Sequence, residues 1–502
     1  MSADKSVQLA INTIRSLAID AIQKANSGHP GTPLDAAPTA YTLWQQVLRY
    51  DPDHPNWLNR DRFVLSGGHA SMLLYALIHL TGIKAANPSY EKLGREAVSL
   101  DDIKNFRQAG SRCPGHPEYG WTSGVESTTG PLGQGLATSV GMAIAGRWLA
   151  ETYNRPGYDL FDFNVYSICG DGDMMEGISS EAASVAGHLR LSKLCWIYDS
   201  NRVTIEGHTD ITFTEDVAAR FLAYGWEVIR VTDPNDIEML ERAYRRFLTT
   251  GDRPTLIVVH SHIGYGAPHK QDSPSAHGEP LGPEEVRLTK EFFGFSPDET
   301  FVVPAGVREH FAATMGARGS RLFEEWKQLF ARYRAQYPDL ADQIECLSKR
   351  ELPPDWEKVL PTYPPSPAGM ATRDVSGKVL NALAQKIPWL IGGSADLAPS
   401  NKTRLTFEFA GDFQRHGPLG NYRGRNLHSV LPPSVTARVT VEEASPIGWE
   451  RYAGRKGVVL GMRTFGMSAP MKIVAEHFGF TPDHVATVAK EVLARCRNTQ
   501  NG

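Results

Sequence analysis

The run Val165-Tyr166-Ser167-Ile168-Cys169 ends in Gly170-Asp171-Gly172-Asp173, and a second run, Leu194-Cys195-Trp196-Ile197-Tyr198, ends in Asp199-Ser200-Asn201. Both runs have the length and apolar character of buried strands, with a helix-length segment between them. A strand, a helix and a second strand predict parallel neighbours whose ends meet at one sheet edge, where open α/β sheets hold ligands. Gly-Asp-Gly by itself is ordinary turn chemistry. The second strand end changes its meaning, because the Asp171 carboxylate and the Asn201 amide oxygen are hard donors suited to Mg²⁺ or Ca²⁺. Gly172 carries no side chain, so a phosphate can approach the backbone N–H groups beside it. The stretch predicts an α/β fold with a parallel sheet and an edge that takes a cation bound to a diphosphate.

The same alternation extends in both directions. Strand-like runs recur at 163–169, 194–198, 226–232 and 255–260, with a helical pattern from Asn235 to Thr249. Residues 134–153 read as a helix rich in small residues. Residues 5–26 place Val7, Ala10, Ile14, Leu17, Ala18, Ala21, Ile22 and Ala25 on one helical face, with Gly28 as a stop. Six prolines between 353 and 367 exclude a regular element and predict a linker. A helix over Val375–Ala384, a strand at Trp389–Ile391 and a loop at Gly392–Asp396 follow. Residues 406–428 show no period. Strands at 435–441 and 457–462 and helices near 469–477 and 482–496 form a second α/β pattern.

The chain has 502 residues, enough for two or three domains, and a net charge of -4 with both signs scattered. That balance gives no reason to expect nucleic acid or membrane partners. Its five cysteines, at 113, 169, 195, 346 and 496, have no CxxC spacing and predict free thiols in a reducing compartment. No leader-like segment or long apolar span is evident, so a cytoplasmic location is expected.

Four histidines sit in loop-like sequence: His29 in Ser27–Gly31, His69 in Gly67–Ser71, His116 in Cys113–Glu118 and His277 in Ser275–Gly278. A single loop histidine is usually just polar surface. Loops at a sheet edge converge on ligands, so all four become candidates for holding phosphate and sugar hydroxyls and for moving protons. None has the HxxxH spacing of a zinc site.

These pieces carry a family resemblance. SGHPG at 27–31, DRFVLSGGHASML at 61–73, CPGHPE at 113–118, GVESTTGPLGQGLA at 124–137, GDGDMMEGISSEAASVAGHL at 170–189, IYDSNRVTIEGH at 197–208, SAHGEPLG at 275–282 and GGSADLAPSN at 392–401 resemble transketolases. TARVTVE at 436–442 and TFGMSAP at 464–470 resemble that family's C-terminal domain. The resemblance implies a diphosphate-binding domain over 1–345, a Pro-rich linker over 346–370, a truncated pyrimidine-type domain over 371–428 and a C-terminal α/β domain over 429–502. It also implies thiamine diphosphate with Mg²⁺ or Ca²⁺ as cofactors. On that basis Asp171, Asn201 and the Val203 carbonyl hold the cation. His69, Gly130, Pro131, Leu132, Gly172, Asn201, His277 and Asp396 contact the cofactor. His29, His116, His277, Arg373 and Ser400 line the sugar-phosphate channel, with the three histidines catalytic. The guanidinium fork of Arg373 suits a phosphate.

The implied function is transfer of a two-carbon ketol unit between sugar phosphates in the pentose phosphate pathway, by a homodimer or by a heterodimer with a complete transketolase. The pattern breaks after Gly424-Arg425-Asn426-Leu427-His428, which runs directly into Ser429–Pro433. In the family this point leads to the glutamate that activates the aminopyrimidine. The expectation is therefore that most of the pyrimidine-binding domain is absent. The alternatives are an impaired or regulatory subunit that needs a complete partner, or a chain that has lost an internal segment.

Overall fold

A computed structural model describes residues 3–87, 91–365, 369–394, 396–415, 421–427, 439–442, 458–461 and 476–498. The chain forms two compact units, Met1–Glu351 and Leu352–Gly502.

The first unit is built on five parallel strands: β1 (Arg62–Leu65), β2 (Val165–Gly170), β3 (Leu194–Ser200), β4 (Glu227–Val231) and β5 (Thr255–His260), in the order β1-β2-β3-β5-β4. The registers set Leu65 opposite Ile168, Gly170 opposite Asp199 and Ser200 opposite His260. Four strands thus end along one line, followed by the segments from Ser66, Asp171, Asn201 and Ser261. The fold class read from the two runs is the one observed. β1 is an addition, because four residues following Arg60-Asp61 carry too little alternation to read as a strand.

Helices cover the sheet. α1 (Ala3–Ala25) is buried all round from Ala10 to Ile22, not along one face as the pattern predicted. Its polar residues have partners that the sequence does not announce. Arg15 donates to Leu34 O at 2.7 Å and to Asn235 Oδ1 at 3.1 Å. Asp20 is ion-paired with Lys290 at 3.0 Å, both side chains almost wholly buried. α2 (Ser71–Thr81) is entirely buried, and α3 (Gln134–Tyr153) packs on α4 (Gly177–His188) beside β2. α5 (Ile237–Thr249) turns Leu240, Ala243, Tyr244 and Phe247 inward. The unit ends in Ala317–Gln336 and Pro338–Lys349, which the sequence reading had left unassigned. Trp326 ties the first of these to Leu160 O at 2.8 Å.

In the second unit, Thr372–Lys386 is a helix, two to three residues longer at each end than expected. The strand expected at Trp389–Ile391 is instead the pair Gly392–Gly393, in a three-stranded parallel sheet with Asn426–Leu427 and Asp412–Phe413. Arg425 explains the shift. Its guanidinium takes the carbonyls of Ala384, Ile387 and Leu390, so the apolar run is spent capping the helix and strand pairing starts three residues later. Val439–Glu442 pairs in parallel with Val458–Gly461, and Pro482–Asn498 is a helix. The remaining parts of the strands read at 435–441 and 457–462, most of the helix near 469–477, and the TFGMSAP motif lie outside the described residues. No helix of the described residues is long and apolar enough to cross a membrane.

Candidate functional site

The ends of β2 and β3 meet at one sheet edge, as the two apolar runs predict. Asp171 begins a short helix, Asp171–Met175, directly after β2. Its carboxylate is buried and accepts from the Tyr198 hydroxyl at 2.5 Å and from the backbone N–H of Arg202 at 2.8 Å. Asn201, one residue beyond β3, accepts from Val203 N–H at 3.1 Å and donates to Asp199 at 3.0 Å and Asp35 at 3.2 Å. Asp171, Asn201 and Val203 therefore share one buried corner.

Asp35 and Asp199 were not singled out in the sequence, and they bring two further acidic side chains to that corner. Burial, and then Asp199, pushes the Asp35 carboxyl well above the carboxylate range. Asp199 is raised by burial to about 7, although Ser261 donates to it. One oxygen of Asp35 is enclosed with no hydrogen-bond partner. Among the described residues no set of three or more His, Cys, Asp or Glu is placed to hold a metal by itself. Asp171, Asn201 and Val203 offer one carboxylate, one amide oxygen and one backbone carbonyl. That set suits Mg²⁺ or Ca²⁺ only when phosphate oxygens complete the shell.

Glycines bring the neighbouring loop close. A Cβ on Gly172 would lie 2.8 Å from Leu132 Cδ1, so the loop of Gly130, Pro131 and Leu132 sits against the Asp171 turn. Asp173, also missed by sequence reasoning, is what fixes it. Its carboxylate accepts from Ser66 Oγ at 2.6 Å, Gly133 N–H at 2.8 Å and Gly170 N–H at 3.0 Å, joining the ends of β1 and β2 to the start of α3. A paired acidic residue in a Gly-Asp-Gly-Asp turn was the only signal for it.

Three of the four histidines form one group. The His29 and His69 ring centroids are 4.9 Å apart, His69 and His277 5.2 Å, and His29 and His277 5.8 Å. Gly31 permits this, because a Cβ there would lie 2.7 Å from Ala276 O. His116 stands next to Gly130 and its side chain reaches solvent. Burial, then the neighbouring imidazoles and Arg107, lowers His29 to about 4. His69 and His277 are lowered chiefly by burial, and His116 by partial desolvation and then Arg107. All four imidazoles are therefore neutral near pH 7. The Nδ1 atoms of His29 and His277 are enclosed without a partner. Such atoms are costly unless a ligand meets them. Gly278 lies between Ile205 and His29, which links the histidine group to the loop after Asn201.

The other three predicted residues belong to the second unit. Arg373 is exposed in the first turn of its helix, Asp396 lies in a turn after Gly393, and Ser400 is in Ala398–Asn401.

Residues 6–353 match the family described as transketolase, thiamine diphosphate binding domain, and residues 414–481 match the transketolase-like TK C-terminal domain. The chain is 51% identical over 418 residues to the transketolase of Bacillus subtilis, covering 83% of this chain and 60% of that one. It is 48% identical over 450 residues to transketolase 1 of Saccharomyces cerevisiae, covering 89% and 64%. Among solved structures, Pichia stipitis transketolase in complex with sedoheptulose-7-phosphate aligns with a TM-score of 0.78 at 42% identity, over 85% of this chain and 61% of that one. Campylobacter jejuni transketolase gives 0.73 at 37%, over 91% and 69%. The chain thus spans about 60% of the length of the first curated relatives it matches.

Proposed function

The chain belongs to the transketolase family, and from that premise we propose that it transfers a two-carbon ketol unit from a ketose phosphate to an aldose phosphate, using thiamine diphosphate and Mg²⁺ or Ca²⁺. The observation that carries the proposal is the juxtaposition, at one sheet edge, of an oxygen-donor corner with a group of neutral imidazoles holding unpartnered nitrogens. When bound, the cofactor would supply an acidic thiazolium C–H and an electron sink for the carbon–carbon bond next to the ketose carbonyl.

The chain's own residues divide the remaining work. Asp171, Asn201 and the Val203 carbonyl hold the cation, and Gly172 leaves room for the diphosphate against Gly130, Pro131 and Leu132. His69 and His277 face the cofactor. His29, His116 and His277 line the sugar channel, where a neutral imidazole accepts a hydroxyl proton and later returns it. The resemblance assigns Arg373 and Ser400 to the sugar phosphate and Asp396 to the thiazolium end; that assignment rests on the motif alone. A cytoplasmic, dimeric protein completes the reading.

The same proposal includes a shortened pyrimidine-type domain. It is supported by the two family matches, which leave only residues 354–413 between them. On this reading the chain needs a complete transketolase as partner to supply the activating glutamate. The test has two arms. Isothermal titration of the purified full chain with thiamine diphosphate and Mg²⁺ is expected to show cation-dependent binding, and its absence would overturn the cofactor assignment. A ketol-transfer assay is expected to require an added complete transketolase carrying an inactivated diphosphate site; turnover by this chain alone would overturn the need for such a partner. Intact mass compared with the reading frame checks that the short middle region is native.

A further inference from the structure

Arg107 was not singled out by the sequence and lies between the loops that carry His29 and His116. Its backbone is left-handed, with φ +60°, and its N–H donates to Cys113 O at 3.0 Å, closing the turn that precedes His116. Its Nη1 donates to Ser27 Oγ at 2.7 Å, two residues before His29. On the other side it lies flat against Gly115, where a Cβ would stand 3.0 Å from Nε and 3.3 Å from Cζ. The His116 loop is held from behind by Ser71, which donates to Gly115 O at 2.9 Å, and by the Tyr75 hydroxyl, which donates to His116 O at 3.2 Å. Among the described residues no carboxylate forms an ion pair with Arg107, and its Nε is enclosed without a hydrogen-bond partner. A guanidinium half-withdrawn from water usually has an anionic partner.

We propose that Arg107 is a positioning residue, whose guanidinium, with the Phe106 ring 5.4 Å away but no carboxylate partner among the described residues, ties the His29 loop to the His116 loop and sets a positive charge at both. The inference rests on the proposed ketol-transfer reading for its catalytic meaning, but its physical content does not require turnover. The charge favours neutral imidazoles, the form able to accept a hydroxyl proton. The groups facing His29 are His277, Arg107, His116 and His69. His116 faces Arg107, and the Tyr75 hydroxyl that donates to His116 O has Cys113, Glu118 and Arg107 around it.

Three variants of the full chain separate tie from charge. R107Q removes the charge and retains a donor, R107K retains the charge and loses the planar fork, and S27A removes only the tie. Histidine titrations by NMR on the cofactor-free protein are expected to move the His29 and His116 midpoints up by about half a pH unit or more in R107Q, and to leave them near wild type in R107K and S27A. In the ketol-transfer assay, under conditions that give wild-type turnover, the acid limb of R107Q is expected to move to higher pH. S27A is expected to raise KM for the sugar phosphate about three- to tenfold with kcat little changed. Unmoved midpoints in a folded R107Q overturn the proposal, as does an S27A whose KM equals wild type. The titration needs no turnover, so a wild-type chain that stays inactive with the added complete transketolase would count against the ketol-transfer reading and leave the role of Arg107 to be decided by the midpoints.

Discussion

Asp171 joins two strand ends through Tyr198 and Arg202 and presents a buried carboxylate at the oxygen-donor corner. D171A is expected to weaken Mg²⁺-dependent binding of thiamine diphosphate by about tenfold or more, read by isothermal titration. D171N should lose less, since an amide oxygen remains. The histidines give a pH prediction whose sign follows from burial. His29 has its pKa lowered to about 4, below the ordinary 6.5, so the unfolded chain binds its proton first as pH falls. The stabilising contribution is full above about 6.5 and is lost as pH drops through about 4. Thermal melts of the cofactor-free protein are expected to decline across that window, and H29Q to decline less steeply. An H29Q melt that declines as steeply as wild type between pH 6.5 and 4 would contradict this account of His29.

At the scale of elements, close approach and buried pairing matter more than propensity. Gly187, in the last turn of α4, faces the carbonyl of Tyr224 so closely that a Cβ would lie 1.9 Å from its oxygen. G187A is favoured by helix propensity, yet it forces this turn away from the chain entering β4. It is expected to destabilise by about 1–3 kcal/mol in denaturant unfolding. The Asp20–Lys290 pair joins α1 to Pro283–Phe292 out of water, with Phe301 N–H also donating to Asp20 at 2.7 Å. K290M strands a buried carboxylate and is expected to cost about 3–5 kcal/mol, with D20N/K290M recovering part of the loss. Equal stability of the single and double variants would mean that the charge is relieved by some other route.

For the whole molecule, the corner and the histidine group both lie within the unit 1–351. Cofactor binding should therefore appear as stabilisation of the folded chain even without turnover. Thiamine diphosphate and Mg²⁺ at a hundredfold excess over their dissociation constant are expected to add about 2.7 kcal/mol, reversed by a chelator. Calorimetry in which a chelator leaves the cofactor-induced shift intact would remove the cation from the site.

The local grammar of the chain determined the parallel α/β fold, the strand ends at Asp171 and Asn201, and the limits of α3. Those features depend on near neighbours: an apolar run, a glycine turn, a small-residue helix. The family motifs pointed to the histidine loops as candidates for the site. What only the tertiary structure decided was which distant groups share a corner. Asp35 meets Asn201 from 166 residues away, Asp173 fastens Gly133 across 40, and Arg107 reaches Ser27 across 80. α1 likewise reads as one-sided in sequence and is buried all round, because the partners of Arg15 and Asp20 lie on other elements. The reason is physical: periodicity records which way a side chain points from its own backbone, whereas desolvation and pairing depend on what the fold brings against it.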